Sequence, residues 1–305
     1  MAVPLQNLVR TTTRRLASDL DLGADALAGI LDLAAQIKRA PSRFADRLKG
    51  RCLALLFEKP SLRTRFTFEL AIKQLGGDSV VSAGPVAGRE PVKDVARNLE
   101  RWTDGIVARV FSQTTIDELA AWSCVPVINA LSDKFHPCQA LADVLTLREH
   151  FGDLDGLKLA FLGDGNNVAH SLMLTASRLG VHVAVATPRG YEPDAAIAAR
   201  AEGPVTITND PAEALDGAHA VYTDVWASMG QEDEAAERIP IFAPFQVNED
   251  LFAQARPDAV FMHCLPAKRG LEVSEAVLES PRSVVFDQAE NRLHTQKALL
   301  VALLG

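Results

Sequence analysis

Short apolar runs alternate with amphipathic stretches along almost the whole chain. Leu53–Phe57 reads as a buried strand and Leu62–Leu75 as the helix that follows it. Gly76-Gly77 ends that helix in the manner of a C-cap. Pro91 falls in the first turn of a second helix ending near Trp102, a position that tolerates proline. Ile106–Val110 and Val125–Ile128 are further strands, and Pro137 opens a helix running to about His150. After Phe151-Gly-Asp-Leu-Asp-Gly the rhythm restarts, with a strand at Leu157–Leu162, a helix at Val168–Leu179 and a strand at Val181–Ala186. Ala220–Thr223 and Ala259–Met262 continue this second sheet. The pattern predicts an α/β protein of two domains, each a parallel β-sheet flanked by helices. The boundaries it suggests are 1–150 and 151–289, and it leaves open whether the last helix, Glu290–Leu304, packs back on the first domain. Met229–Ile239 is polar and acidic between two ordered regions and reads as a mobile loop.

A chain of 305 residues suits two domains of ordinary size. Its 48% hydrophobic and 23% charged residues have the balance of a soluble globular protein. No apolar run reaches the ~18–20 residues needed to cross a bilayer. The opening Met-Ala-Val-Pro-Leu has no basic region leading into an apolar stretch, so no signal peptide is read and a cytoplasmic location is expected. Cys52, Cys124, Cys138 and Cys264 lack C-x-x-C spacing, which argues against a disulfide framework or a zinc site. No metal and no cofactor is expected. The net charge of −8 argues against nonspecific nucleic-acid binding, but a local arginine cluster can still bind a small anion.

Phe57-Glu-Lys-Pro-Ser-Leu-Arg-Thr-Arg-Phe-Thr-Phe-Glu is the most informative segment. A strand ends, a proline turns, and Ser61 stands at an N-cap with Leu62, Arg63, Thr64 and Arg65 in the first helical turns. Free N–H groups and the helix dipole favour an anion there, and a hydroxyl with a guanidinium fork suits a phosphate dianion. The competing reading is a capped helix with solvated arginines, although basic residues at a helix N-terminus oppose the dipole. Farther on, His136 and Gln139 lie at a strand-to-helix junction, where α/β sheets bind ligands; alone, they could be ordinary turn residues. Arg109 at a strand end and Arg292 near the last helix read equally as surface charges. Cys264 in Phe261-Met-His-Cys-Leu-Pro-Ala could be a nucleophile, although a buried structural thiol is the usual case. Asp224 before a loop, and Asn166 and Asn167 after a strand, are ordinary on their own; the asparagines suit helix capping.

Together these segments resemble the aspartate/ornithine carbamoyltransferase family. Its S-T-R-T-R signature stands here as Ser61-Leu-Arg-Thr-Arg, with leucine replacing the commoner threonine. H-P-x-Q is complete in His136-Pro-Cys-Gln139. H-C-L-P, the mark of the ornithine-type branch, is His263-Cys-Leu-Pro266. D-x-x-x-S-M-G is matched by Asp224, Ser228, Met229 and Gly230, and G-D-x-N-N by Gly163-Asp-Gly-Asn-Asn167. The resemblance runs in order from about Leu8 to Leu304.

It implies transfer of a carbamoyl group from carbamoyl phosphate to L-ornithine at a site in the interdomain cleft. The first domain would bind carbamoyl phosphate and the second ornithine. Ser61, Leu62, Arg63, Thr64, Arg109, His136, Gln139, Cys264, Leu265 and Arg292 are implied at carbamoyl phosphate, with Leu265 offering its carbonyl to the amide. Asn167, ahead of Asn166, is implied with Asp224, Ser228 and Met229 at ornithine. Arg109, His136, Cys264 and Asp224 take the catalytic roles. A homotrimer, or a multiple of trimers, and a place in arginine metabolism also follow. In the family a loop after the second strand reaches a neighbouring subunit, often with a glutamine. Here Ser79–Glu90 is short and has no glutamine, leaving Ser82 or Arg89 to substitute.

Two readings from other classes compete. Gly163-Asp-Gly between a strand and a helix suggests a dinucleotide-dependent dehydrogenase. Val168 takes the place of the third glycine, and Val185-Ala-Thr-Pro ends the next strand without an acidic residue for a ribose hydroxyl. A non-catalytic paralogue is opposed by the joint retention of Arg63, His136, Gln139 and Cys264. Within the family, putrescine, N-acetylornithine and aspartate are the alternative acceptors.

Overall fold

A computed structural model describes residues 13, 15–227 and 232–305. The chain forms two compact units, one running to Ala142 and resuming over Asn291–Gly305, the other Asp143–Glu290. Both passages of the chain between units fall inside helices.

The strands of the first unit are β1 (Arg15–Leu16), β2 (Cys52–Phe57), β3 (Asp78–Ala83), β4 (Gly105–Arg109) and β5 (Val127–Leu131). Its helices are α1 (Ala24–Arg39), α2 (Leu62–Gln74), α3 (Val92–Trp102), α4 (Gln113–Trp122) and the start of α5 (Pro137–Phe151). The second unit holds β6 (Lys158–Leu162), α6 (Asn167–Arg178), β7 (His182–Ala186), α7 (Ala195–Ala198), β8 (Val205–Thr208), α8 (Pro211–Leu215) and β9 (Ala220–Thr223). It continues with α9 (Ala235–Phe242), α10 (Glu249–Phe252), β10 (Val260–His263), α11 (Glu275–Leu278) and the first turns of α12 (Val285–Leu304).

Among the described residues each unit has one parallel five-stranded sheet, in the orders β1-β5-β4-β2-β3 and β10-β9-β6-β7-β8. Central strands β4 and β5 are buried along their whole length, because helices cover both faces of a parallel sheet. Strand order reverses between β2 and β4 in the first unit and between β6 and β9 in the second. Loops leaving the carboxyl ends of those strands therefore diverge and leave a crevice, the usual ligand position in such sheets.

Several local details differ from the pattern-based expectation. Segment 79–83, expected in a loop, belongs to edge strand β3, paired in register with β2. β5 runs on to Leu131 because Asn129, polar yet wholly buried, finds acceptors in Ala17 O at 2.9 Å and Gln113 Oε1 at 3.1 Å. Pro91 is the N-cap of α3 and stands just outside its first turn. The last helix starts at Val285, earlier than Glu290. The acidic segment expected to be a mobile loop, Met229–Ile239, is from Glu232 onward a short 3₁₀ turn followed by α9, which runs on to Phe242. The end of α2 is a Schellman turn: Gly76, at φ 90°, donates to Lys73 O at 3.1 Å and Gly77 to Ile72 O at 3.0 Å. No described helix is long and apolar enough to cross a membrane.

Candidate active site

In the first unit Ser61 caps α2, its hydroxyl accepting the Thr64 N–H at 3.3 Å. Leu62 is exposed and Arg63 half-buried in the first turn, whose opening N–H groups have no acceptor within the helix itself, as at any helix start. Arg65 turns away to pair with Glu69 at 2.7 Å. Arg292, from α12, is buried in the same unit. It donates from Nη1 to Gln139 Oε1 at 2.5 Å and from Nη2 to Thr64 Oγ1 at 3.2 Å. Residues 228 and 153 positions away in sequence thus orient one guanidinium beside the start of α2.

Arg109, the last residue of β4, and His136, the residue before α5, are also buried. The His136 imidazole is held well below its usual titration range, first by burial and then by the Arg292 and Arg109 charges. It is therefore neutral near pH 7 and can donate one hydrogen bond without carrying a charge of its own. Cys138 is a packing residue: its Sγ donates to Asn129 O at 3.4 Å, and burial pushes its thiol up to about 12.

The second unit has a different character. Asn166 caps α6, its Oδ1 accepting Val168 N–H at 2.9 Å, and its Nδ2 donates to Asp224 Oδ2 at 2.9 Å. That bond links the loops after β6 and β9 across the reversal of strand order. Asn166 is the helix cap, while Asn167 is the first, partly exposed residue of α6. Asp224 Oδ1 accepts from its neighbour Val225 N at 2.8 Å and from Cys264 Sγ at 3.0 Å. Ser228 and Met229 lie outside the described residues.

Beyond Cys264 the chain turns through Leu265, whose φ of 58° is left-handed and costs a branched residue about 1–2 kcal/mol. Leu265 N–H donates to His263 Nδ1 at 2.8 Å, and His263 Nε2 faces Glu272 Oε1 at 3.3 Å. These bonds assign the His263 proton to Nε2 and support the turn. Asp224, His263 and Cys264 offer ligand atoms within 4.8 Å of one another, close enough for a metal ion. Both ring nitrogens of His263 are engaged, by the Leu265 N–H and by Glu272, while Cys264 and Asp224 bond to each other.

Two groups here, Arg238 and Glu272, escaped the sequence reading. Arg238 from α9, buried, donates to Asp164 Oδ2 at 3.0 Å, Trp226 O at 2.8 Å and Glu234 Oε2 at 2.7 Å. It thereby fastens α9 to the loops after β6 and β9. Asp164 is pushed up to about 6 by burial, with Arg238 opposing the shift. Glu272 is buried against His263 Nε2, a residue the sequence reading placed only within its motif. The only sequence signal for Arg238 was its i, i+4 spacing from Glu234, which needs a helix there to mean anything.

Gly163 and Gly165, the two glycines that suggested a dinucleotide fingerprint, have a conformational and a packing role respectively. Gly163 adopts φ 136°, and a Cβ on Gly165 would lie 2.3 Å from Pro193 N.

Two family models match the chain. Residues 14–149 fit "Aspartate/ornithine carbamoyltransferase, carbamoyl-P binding domain" and residues 155–303 fit "Aspartate/ornithine carbamoyltransferase, Asp/Orn binding domain". An ornithine carbamoyltransferase of Thermus thermophilus is 56% identical over 285 residues, covering 92% of this chain and 94% of that one. One from Acidothermus cellulolyticus is 52% identical over 303 residues, covering 95% and 96%. Among solved structures, the ornithine carbamoyltransferase from Pyrococcus furiosus matches with a TM-score of 0.93 at 48% identity, covering 97% of this chain and 99% of that one.

Proposed function

The chain belongs to the aspartate/ornithine carbamoyltransferase family, and from that premise we propose that it transfers the carbamoyl group of carbamoyl phosphate to the δ-amine of L-ornithine, giving L-citrulline and phosphate. The observation that carries this reading is the buried Arg292 guanidinium, bonded to Thr64 and Gln139 beside the start of α2. It supports an acyl-phosphate site with the helix N–H groups of Ser61–Thr64, Arg63, Arg109 and Arg292 on the phosphate oxygens. Neutral His136, with Arg109, stabilises negative charge developing on the carbonyl oxygen. Gln139 and the Leu265 carbonyl orient the amide.

Asp224, Asn167, Ser228 and Met229 hold ornithine. Attack requires a neutral amine about 3–3.5 Å from the carbonyl carbon. A free alkyl amine titrates near ~10.4, so the site must favour proton loss. Asp224 and Cys264, already sharing a hydrogen bond, are the groups assigned to assist it. The new N–C bond forms as the C–O bond to phosphate breaks, and one proton leaves the nitrogen. No metal or organic cofactor takes part in this scheme.

A homotrimer or a multiple of trimers is part of the proposal. Leu62, Phe66 and Leu70, spaced four apart on α2, are 68%, 59% and 41% exposed, and Val80 on edge strand β3 is 65% exposed. Such a stripe supports burial against another copy of the chain. A cytoplasmic location agrees with four free cysteines. Arginine biosynthesis is the proposed setting, because exchanging the ureido oxygen of the product for a nitrogen gives a guanidino group at an unchanged oxidation level. Supplying carbamoyl phosphate with ornithine, N-acetylornithine, putrescine or aspartate tests the assignment. Citrulline should form from ornithine, and turnover of another amine in its place would refute it.

A further inference from the structure

In the second unit the outer edge of β10 ends on a side chain. Phe261 N–H donates to Arg282 O at 2.8 Å and Val284 N–H to Phe261 O at 3.0 Å, so the segment before α12 extends the sheet by one bridge. One pair further along, α12 has begun and its carbonyls are committed to the helix. There the His263 N–H donates instead to Gln288 Oε1 at 2.9 Å. Gln288 Nε2 donates to Asp143 Oδ1 at 2.7 Å and to Tyr222 OH at 3.1 Å. All four residues are at most 1% exposed. Only the amide oxygen can accept a backbone N–H, so the network assigns the orientation of the side chain. The Tyr222 phenol is pushed well above its ordinary range by burial and by Asp143.

His263 immediately precedes Cys264, whose thiol meets Asp224, and its ring receives the Leu265 N–H. We propose that Gln288 is a positioning residue, setting through the His263 N–H the place from which Cys264 meets Asp224 and Leu265 enters its turn. A leucine at 288 would bury that N–H without an acceptor and remove a donor from Asp143, and the strand end would shift to recover a partner. The inference rests on Asp224 and Cys264 acting at ornithine, but one of its readouts does not.

The test uses the full chain with Gln288→Leu and Gln288→Glu. Alkylation of Cys264 by iodoacetamide is followed by peptide mass, with exposed Cys124 as internal reference. Gln288→Leu should free the thiol from its carboxylate partner and speed Cys264 alkylation about tenfold relative to Cys124, with ornithine KM raised about tenfold and carbamoyl-phosphate KM raised less, about threefold, because the Leu265 carbonyl is one of its contacts and the arginines of the first unit are untouched. Glutamate keeps the acceptor but faces Asp143 from α5 and Tyr222 from β9, with Cys264 and Asp224 beyond. A proton on one carboxyl restores the lost donor. Gln288→Glu should therefore approach wild type as pH falls from about 8.5 to about 6.5, and Gln288→Leu should not. Unchanged Cys264 reactivity and KM in both variants overturns the inference. So does loss of stability and activity in Gln288→Glu with no recovery at lower pH, which decides the matter even if Gln288→Leu fails to fold. If wild type makes no citrulline, the ornithine reading fails while the thiol measurement still tests the positioning role.

Discussion

The two units solve opposite electrostatic problems. The first gathers cations around the start of a helix and keeps its histidine neutral by burying it beside them. The second gathers a carboxylate, a thiol and an asparagine into a network that suits an amine. In the proposed reaction one half serves an anion and the other a cation that must lose its proton. The anion half depends on fixed charge, whereas the amine half depends on hydrogen bonds that hold weak acids in place.

Removing fixed charge should therefore have the largest effect. Arg292→Ala strips a partner from Thr64 and Gln139 and should lower kcat/KM for carbamoyl phosphate by about 10³-fold. Arg292→Lys should restore little, because an ammonium cannot span both partners in the same fork. In the amine half, Asp224→Asn should lower kcat/KM for ornithine by about 10²-fold while leaving phosphate affinity unchanged in a direct binding assay. Equal loss for both substrates would erase the contrast between the halves.

Smaller effects sharpen the contrast further. Arg238→Met leaves partly buried Asp164 without its ion partner and should cost about 3 kcal/mol, read as a lower denaturation midpoint. For His136 the folded-state titration lies below the unfolded value of 6.5, so the unfolded chain takes up a proton first as pH falls. Stability should decline below that value, and His136→Gln should flatten the decline in denaturant titrations. Asp164 acts in a different window. Its proton is held to about 6 in the fold against a usual 3.8, so its contribution to stability falls as pH rises between those values, and Asp164→Asn should remove that slope.

Much of the fold was legible because parallel strands buried on both faces leave contiguous apolar runs, as in Leu53–Phe57 and Ala220–Thr223. β3 was missed because its residues are largely exposed at a sheet edge and Ser79 and Ser82 dilute the pattern. Asn129 hid the end of β5, since its burial depends on partners far away in sequence. In the candidate site, the Ser61 cap was visible because a cap is a local device. Gln288, Arg238 and Glu272 were not, because each acts through a tertiary bond that no spacing in the chain announces.

Calorimetric titration of carbamoyl phosphate into wild type and Arg292→Ala, without any amine, addresses the anion half on its own. Binding to wild type, weakened about 10²-fold or more in the variant, is the predicted result. Equal affinity in the two proteins would mean that the buried guanidinium does not hold the acyl phosphate.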